Sequence, residues 1–174
     1  MKKLLLSLLL LGGCAVAPPD GVTPVAGFEL NRYLGQWYEI ARLDHSFERG
    51  LSNVSASYSP RDDGGVRVLN RGYDASAGRW KDVEGRAYLT GEPTVGSLKV
   101  SFFGPFYGGY HIVALDRENY SYAMISGPSR DYLWILARSR RLPPAVLDGL
   151  LQQARALGFA TEQLIMVKQD RDDA

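Results

Sequence analysis

From Trp37 onward the chain alternates short apolar stretches with clusters of Gly, Pro, Asp and Asn. Eight of these stretches predict strands, at 37–44, 54–59, 66–73, 83–89, 97–103, 110–115, 121–126 and 132–138. The alternation is clearest where Leu98, Val100 and Phe102 interleave with Lys99 and Ser101, which predicts one wet and one dry face. The segments between strands carry turn chemistry, as in Asp62-Asp63-Gly64-Gly65, Gly104-Pro105 and Gly127-Pro128. None has room for a crossover helix, so neighbouring strands are expected to be antiparallel. An up-and-down meander of eight strands closes into a barrel and so removes its exposed edges. Eight strands also leave an interior that can hold one small ligand. A two-sheet sandwich is the competing architecture.

The period changes near the C-terminus. Leu147, Leu150, Leu151, Ala154 and Leu157 recur at helical spacing after Pro143-Pro144, and Gly158 supplies a stop. This single α-helix is expected on the outside of the barrel, followed by a short strand at 163–167 on its edge. A helical turn is expected at 28–34, with Asn31 or Glu29 near its start. Connectivity then assigns the rims. If the first strand starts at the closed end, loops 45–53, 74–82, 104–109 and 127–131 lie at the open mouth. Trp37, Asp116 and Arg138 then meet at the closed end, where a guanidinium stacked on an indole makes a sound plug.

Charge changes this picture little. Lysines and arginines number 20 against 19 acidic residues, and no basic stripe calls for nucleic acid. The N-terminus changes it more. Lys2-Lys3, the apolar run Leu4 to Leu11 and then Gly12-Gly13-Cys14 read as a signal peptide over 1–13. The run is too short to cross a bilayer. Small residues just before a cysteine resemble the bacterial lipobox, in which the cysteine is acylated and becomes the new N-terminus. Cys14 is the only cysteine in the chain. A plain secretory signal is the competing reading. Ala15 rather than Asp after the cysteine resembles the pattern sorted to the outer membrane. Residues 14–27 are expected to be a lipidated tether, 28–170 the domain and 171–174 a tail. Pro18, Pro19 and Pro24 forbid a regular helix in the tether, which is expected to let the domain stand off the membrane.

Gly35-Gln36-Trp37, the turn Asp116-Arg117-Glu118-Asn119-Tyr120 and Arg138 resemble the three sequence signatures of the lipocalins. Tyr33 to Arg42, Asp44 to Gly50, Val100 to Gly108, Leu115 to Tyr120 and Tyr132 to Arg138 are similar to bacterial outer-membrane lipoprotein lipocalins, which group with apolipoprotein D and the plant temperature-induced lipocalins. Gln36 departs from the Thr or Lys found in other members. The resemblance implies a calyx that binds fatty acids or lysophospholipids, for lipid transport or storage in envelope maintenance. It also implies a lipid anchor in the outer membrane with the domain facing the periplasm, and a capacity to form a homodimer.

With Trp37 and Arg138 facing inward, alternation places Leu136, Trp134 and Tyr132 inside the last strand, with Trp134 about 13 Å above the plug. Val54, Ala56 and Tyr58, then Val66, Val68 and Asn70, then Leu98, Val100 and Phe102, line further strands. The sixth strand is apolar on both parities, and Tyr110 and Ile112 are taken as inward. Tyr107, Tyr110 and Asn70 are candidate hydrogen-bonding groups for a head group at the mouth. Arg49 and Arg130 are candidates to meet phosphate there, against the simpler reading of solvated surface charges. By resemblance, Tyr107 and Trp134 match positions that contact lipid.

An enzyme is the rival class. The chain has no Gly-x-Ser-x-Gly elbow, no His-Glu-x-x-His and no phosphate-cradling loop. Its only histidines are His45 and His111. His45, between Asp44 and Glu48, is read as shaping its loop. His111 is a candidate haem ligand, against the simpler reading of a structural strand histidine, and a carrier of haem or another small hydrophobic ligand is the alternative to the lipid binder. No cofactor or metal is otherwise called for. A third reading is a filled, purely structural barrel.

Overall fold

The computed structural model describes residues 16–171. The expected signal peptide, Cys14 and residues 172–174 lie outside the described residues. Eight strands run β1 (Gly35–Arg42), β2 (Leu51–Pro60), β3 (Val66–Asp74), β4 (Arg79–Leu89), β5 (Ser97–Ser101), β6 (Gly108–Leu115), β7 (Tyr122–Ser126) and β8 (Leu133–Ala137). Each pairs antiparallel with the next, and β1 pairs with both β2 and β8, so the sheet closes. The sandwich is thereby excluded, and the expected eight-stranded up-and-down barrel is found.

Side-chain alternation separates two cores. Inside lie Trp37, Ala56, Tyr58, Val66, Val68, Leu98, Ile112, Ile125 and Leu136, among others. Outside, Ile40, Ala41, Met124, Leu133 and Ile135 pack beneath α2 (Pro144–Ala156), which buries Leu150 and Ala154 against them. Proline at the first turn of α2 costs nothing, because that N–H has no helical partner. The N-terminal helical turn, α1 (Leu30–Tyr33), has Glu29 at its cap without a side-chain bond.

Three differences from the expected boundaries have physical causes. β4 starts at Arg79, four residues before 83, because Tyr73 and Trp80 pair across the hairpin with rings 5.5 Å apart. The cross-strand Lys81–Asp74 ion pair, at 2.6 Å, supports the same extension. The last strand, β9 (Ile165–Met166), is shorter than expected and follows a 3₁₀ turn at Thr161–Gln163. It pairs with the upper part of β1, where β1 has parted from β2. The tether also differs: residues 16–27 do not stand off. Val22 is buried, Val25 donates to the Ile112 carbonyl and accepts from Gly96 N–H, and Ala26 bridges to Val95.

The closed end is built around Arg138. Its guanidinium carbon lies 3.9 Å from the centre of the Trp37 ring. Its nitrogens donate to the carbonyls of Gln36 (2.9 Å), Arg32 (2.8 Å), Leu34 (2.9 Å) and Tyr120 (3.3 Å). Desolvation draws its pKa below the ordinary value. Asp116 reaches Arg138 only indirectly. Its carboxylate accepts from the N–H groups of Glu118, Asn119 and Ser121 and from the Ser121 hydroxyl, which holds it below the usual carboxylate range. Those bonds shape the turn that presents the Tyr120 carbonyl, with Tyr120 itself at φ 52°. Gly35, at φ +96°, brings the chain close under the guanidinium; a Cβ there would lie 3.3 Å from Arg138 Nη1. Arg138→Met keeps the apolar contact with Trp37 but strips four carbonyls of their donor. It is expected to cost about 2–4 kcal/mol in urea denaturation, with Arg138→Lys falling between the variant and the native protein.

Candidate functional site

The interior is built in tiers from the plug upward. Tyr33 from α1 lies over Trp37, ring centres 4.7 Å apart, and accepts the indole N–H on its backbone carbonyl at 2.8 Å. Above it three hydroxyls meet: Tyr110 is 2.7 Å from Tyr33 and 2.9 Å from Tyr58. Burial pushes all three phenols above their ordinary pKa, so they stay neutral donors and acceptors. Tyr110 and Ile112 both belong to the inner cluster, so the sixth strand faces as expected. Tyr110, however, is engaged in the floor and not at the mouth.

The wall above this floor is apolar. Val100, Phe102 and Trp134 are partly buried against the inner cluster, which also contains Leu98 and Ile125. Phe102 closes on β4, where only glycine fits: a Cβ on Gly85 would lie 2.7 Å from the Phe102 ring. Asn70 pairs in register with Ala56, itself opposite Trp37, and so faces inward half-buried with no side-chain hydrogen bond among the described residues.

A buried polar cluster roofs the lumen beside Trp134. Glu39 follows Trp37 on the same inward parity, and a bulge between Glu39 and Ala41 turns Arg42 to the same place. Arg42 donates to Glu39 at 2.7 Å and to the carbonyls of Glu48 and Leu51 at 2.9 and 3.1 Å. Glu48 accepts the Trp134 indole N–H at 3.1 Å and lies 2.9 Å from His45 Nε2. His45 therefore does shape its loop. Desolvation and the charge of Glu48 push Glu39 well above the usual carboxylate range, outweighing Arg42. Sequence reasoning missed this cluster. The Trp37–Glu39 parity was the available signal, while the bulge that recruits Arg42 leaves no mark in residue spacing.

Other expected residues fall elsewhere. Tyr107 does not overhang the lumen. Its hydroxyl accepts from Arg86 Nε at 3.0 Å, and Lys99 Nζ lies 5.0 Å from its ring centre. Lys99 alternates with the inward Leu98 and Val100, so this is the outer wall near the mouth. Arg130 donates to the carbonyls of Leu157 and Asp20, both at 2.7 Å, and clamps tether to helix instead of meeting phosphate. Arg49 pairs with Asp44 at 2.8 Å on the surface. His111 is fully buried on the outward parity, 2.9 Å from Ser97 Oγ and beneath the tether, so it cannot ligate a haem in the lumen. Burial holds its pKa below the ordinary value.

Three comparisons place this geometry. A family model described as a lipocalin-like domain matches residues 28–169. The outer membrane lipoprotein Blc of Vibrio cholerae is 55% identical over 166 residues, covering 95% of this chain and 96% of that one. Apolipoprotein D of Macaca fascicularis is 35% identical over 146 residues, covering 80% and 74%. Among solved structures, insecticyanin from the tobacco hornworm Manduca sexta superposes with a TM-score of 0.69 at 25% identity, over 87% of this chain and 86% of that one.

The elevated Glu39 pKa has a sign that can be tested. The native state holds this proton at pH values where the unfolded chain, with an ordinary carboxyl near 4.5, has released it. Its stabilising effect is complete below that value and is lost as pH rises towards the native pKa. Glu39→Gln mimics the protonated form. Its melting temperature relative to the native protein is expected to rise from about pH 4 to about pH 7 in calorimetry.

Proposed function

We propose that this chain, which belongs to the lipocalin family, holds one long acyl chain in its calyx and works at the bacterial outer membrane on a lipid anchor. The ligands are fatty acids or lysophospholipids, carried or stored for envelope maintenance. Family membership places the protein among ligand carriers, not enzymes. The observation that carries the ligand class is the inner wall: Leu98, Val100, Phe102 and Ile125 stand between a neutral tyrosine floor and a polar roof. Such a sleeve rewards each buried methylene by about 0.8 kcal/mol. The half-buried Asn70 amide and Tyr58 offer polar contacts within the same lumen, and Trp134 is positioned to report occupancy.

The anchor reading draws on the relatives, which are outer membrane lipoproteins, and on Cys14, the only thiol in the sequence. Among the described residues no helix is long and apolar enough to cross a membrane. Several acyl chains on one cysteine would hold the protein stably, whereas one would not.

Delipidated protein titrated with palmitate or a lysophospholipid is expected to bind saturably with a change in tryptophan emission. Val100→Asp, which puts a charge on the apolar wall, is expected to weaken binding at least about tenfold while the fold persists. Trp134→Ala is expected to abolish most of the emission change. Undiminished affinity in a folded Val100→Asp protein would overturn the calyx as the site. Native mass spectrometry of the same protein reads ligand stoichiometry and any homodimer together. Cys14→Ser is expected to move the protein from the membrane fraction to the soluble periplasmic fraction.

A further inference from the structure

The three hydroxyls at the floor of the calyx carry one more proton than their mutual bonds can use. Tyr33, Tyr58 and Tyr110 each bring one O–H, and an O–H donates once. Only two hydrogen bonds join them, Tyr33 to Tyr110 at 2.7 Å and Tyr58 to Tyr110 at 2.9 Å. None of the three hydroxyls bonds any other group among the described residues. Whichever way the rotors turn, one O–H is left without a protein acceptor. Ionisation does not remove it, because burial holds all three phenols above their ordinary pKa. A buried donor left unpaired is costly, so this proton asks for a partner.

That partner has to come from the lumen. On the plug side Tyr33 is shut in by Trp37 and Phe28, ring centres 4.7 and 5.4 Å away. Tyr110, whose hydroxyl takes part in both bonds, is only half-buried. A second uncommitted group stands one inward step nearer the mouth. Asn70 pairs with Ala56, two residues along from the Tyr58–Val68 pair, a rise of about 7 Å. Its amide offers donors and an acceptor, and it makes no side-chain hydrogen bond among the described residues. The inward neighbours Val68 and Leu98 are apolar. The nearby cations are already committed, Arg42 to Glu39 and two carbonyls, Arg138 to four carbonyls and the Trp37 face. An apolar sleeve thus ends in a small polar patch with hydrogen-bonding capacity to spare and no available charge.

We infer that the deep end of the calyx is a binding site for an uncharged oxygen, so that its ligands include acyl chains hydroxylated near the end remote from the head group. This deepens the acyl-chain reading proposed above and rests on it. An alcohol oxygen accepts the spare phenol proton. Its own O–H donates back into the tyrosine triad or, one step up, to the Asn70 carbonyl oxygen. Hydroxyls on the last few carbons are therefore all served. A methyl end fills the same space and leaves the donor unpaired. A carboxylate at that end is rejected, because it loses its hydration with no cation to replace it. The wall selects an apolar chain, and the floor selects how that chain ends.

The test titrates the protein, stripped of bound lipid, with palmitate, ω-hydroxypalmitate and the corresponding ω-carboxy diacid. The hydroxy acid is expected to bind native protein at least as tightly as palmitate, although an unpaired hydroxyl in an apolar lumen would weaken it about tenfold or more. The diacid is expected to bind at least about tenfold more weakly than the hydroxy acid. Tyr58→Phe/Tyr110→Phe is expected to lower the affinity for the hydroxy acid relative to palmitate at least about tenfold. Reading the ratio cancels any general change in the shape of the lumen. Asn70→Leu, which leaves the floor intact, is expected to move the ratio in the same direction and answers the question if the floor variant does not fold. Weaker binding of the hydroxy acid than of palmitate to native protein would overturn the inference. A ratio that the folded variants leave unmoved would also overturn it, since solvent then serves the spare O–H. A diacid that binds as tightly as the hydroxy acid would sink the requirement for an uncharged oxygen. Native protein that takes up neither palmitate nor the hydroxy acid contradicts the calyx reading and this inference with it, whereas uptake of palmitate alone contradicts only the deep site.

Discussion

A positively charged guanidinium sits at the closed end of this barrel with no carboxylate beside it, held by four backbone carbonyls and one indole face. Those carbonyls come from α1, from β1 and from the turn before β7, and the guanidinium from the end of β8. Segments that join in sequence only through the whole barrel therefore share one donor. The carbonyls would otherwise be unpaired ends of a helical turn and of strands, and a partly buried acceptor without a donor is costly. Everything above depends on that closure. Trp37 is held flat, Tyr33 lies on Trp37, and the hydroxyls of Tyr33, Tyr58 and Tyr110 form a floor only because Tyr33 is in place.

The lumen is then bounded by two polar layers of different character. The tyrosine floor is neutral and mutually hydrogen-bonded. The Glu39–Arg42–Glu48 roof is ionisable and buried: the guanidinium bonds the Glu39 carboxylate and the Glu48 backbone carbonyl, and the charge of Glu48 opposes ionisation of Glu39. Such a cluster is tolerated because the bulge in β1 brings the opposite charge within 2.7 Å. A strand without the bulge would bury Glu39 among apolar neighbours.

The strands, the closing plug and the outer helix follow from the sequence because each rests on local signals: turn residues, period-two alternation, and a proline-started helical stripe. Asn70 and Tyr58 could be assigned inward for the same reason. Tyr107 could not, because it sits in a loop where alternation says nothing, and its partners Arg86 and Lys99 come from neighbouring strands. Arg130 likewise reads as a free surface cation until the tether is seen to dock beside it. The tether misleads for a related reason. Its prolines exclude a helix, yet proline-rich extended chain can still lie along a wall when Val22 finds an apolar pocket and Val25 finds strand partners.

The seam between β1 and β2 carries one more consequence. Above Tyr38 the two strands separate, and the gap is spanned from the far end of the chain: Val167 N–H donates to the Ile40 carbonyl, and the Gln169 amide bridges the carbonyls of Glu39 and Val54. The last stave of the wall is thus a removable one, fastened by a handful of bonds. A folding chain can assemble seven of its eight strand–strand joints in full and still have a lateral slit beside its buried ions. The wall beside the Glu39–Arg42 pair is complete only with residues 165–169 in place.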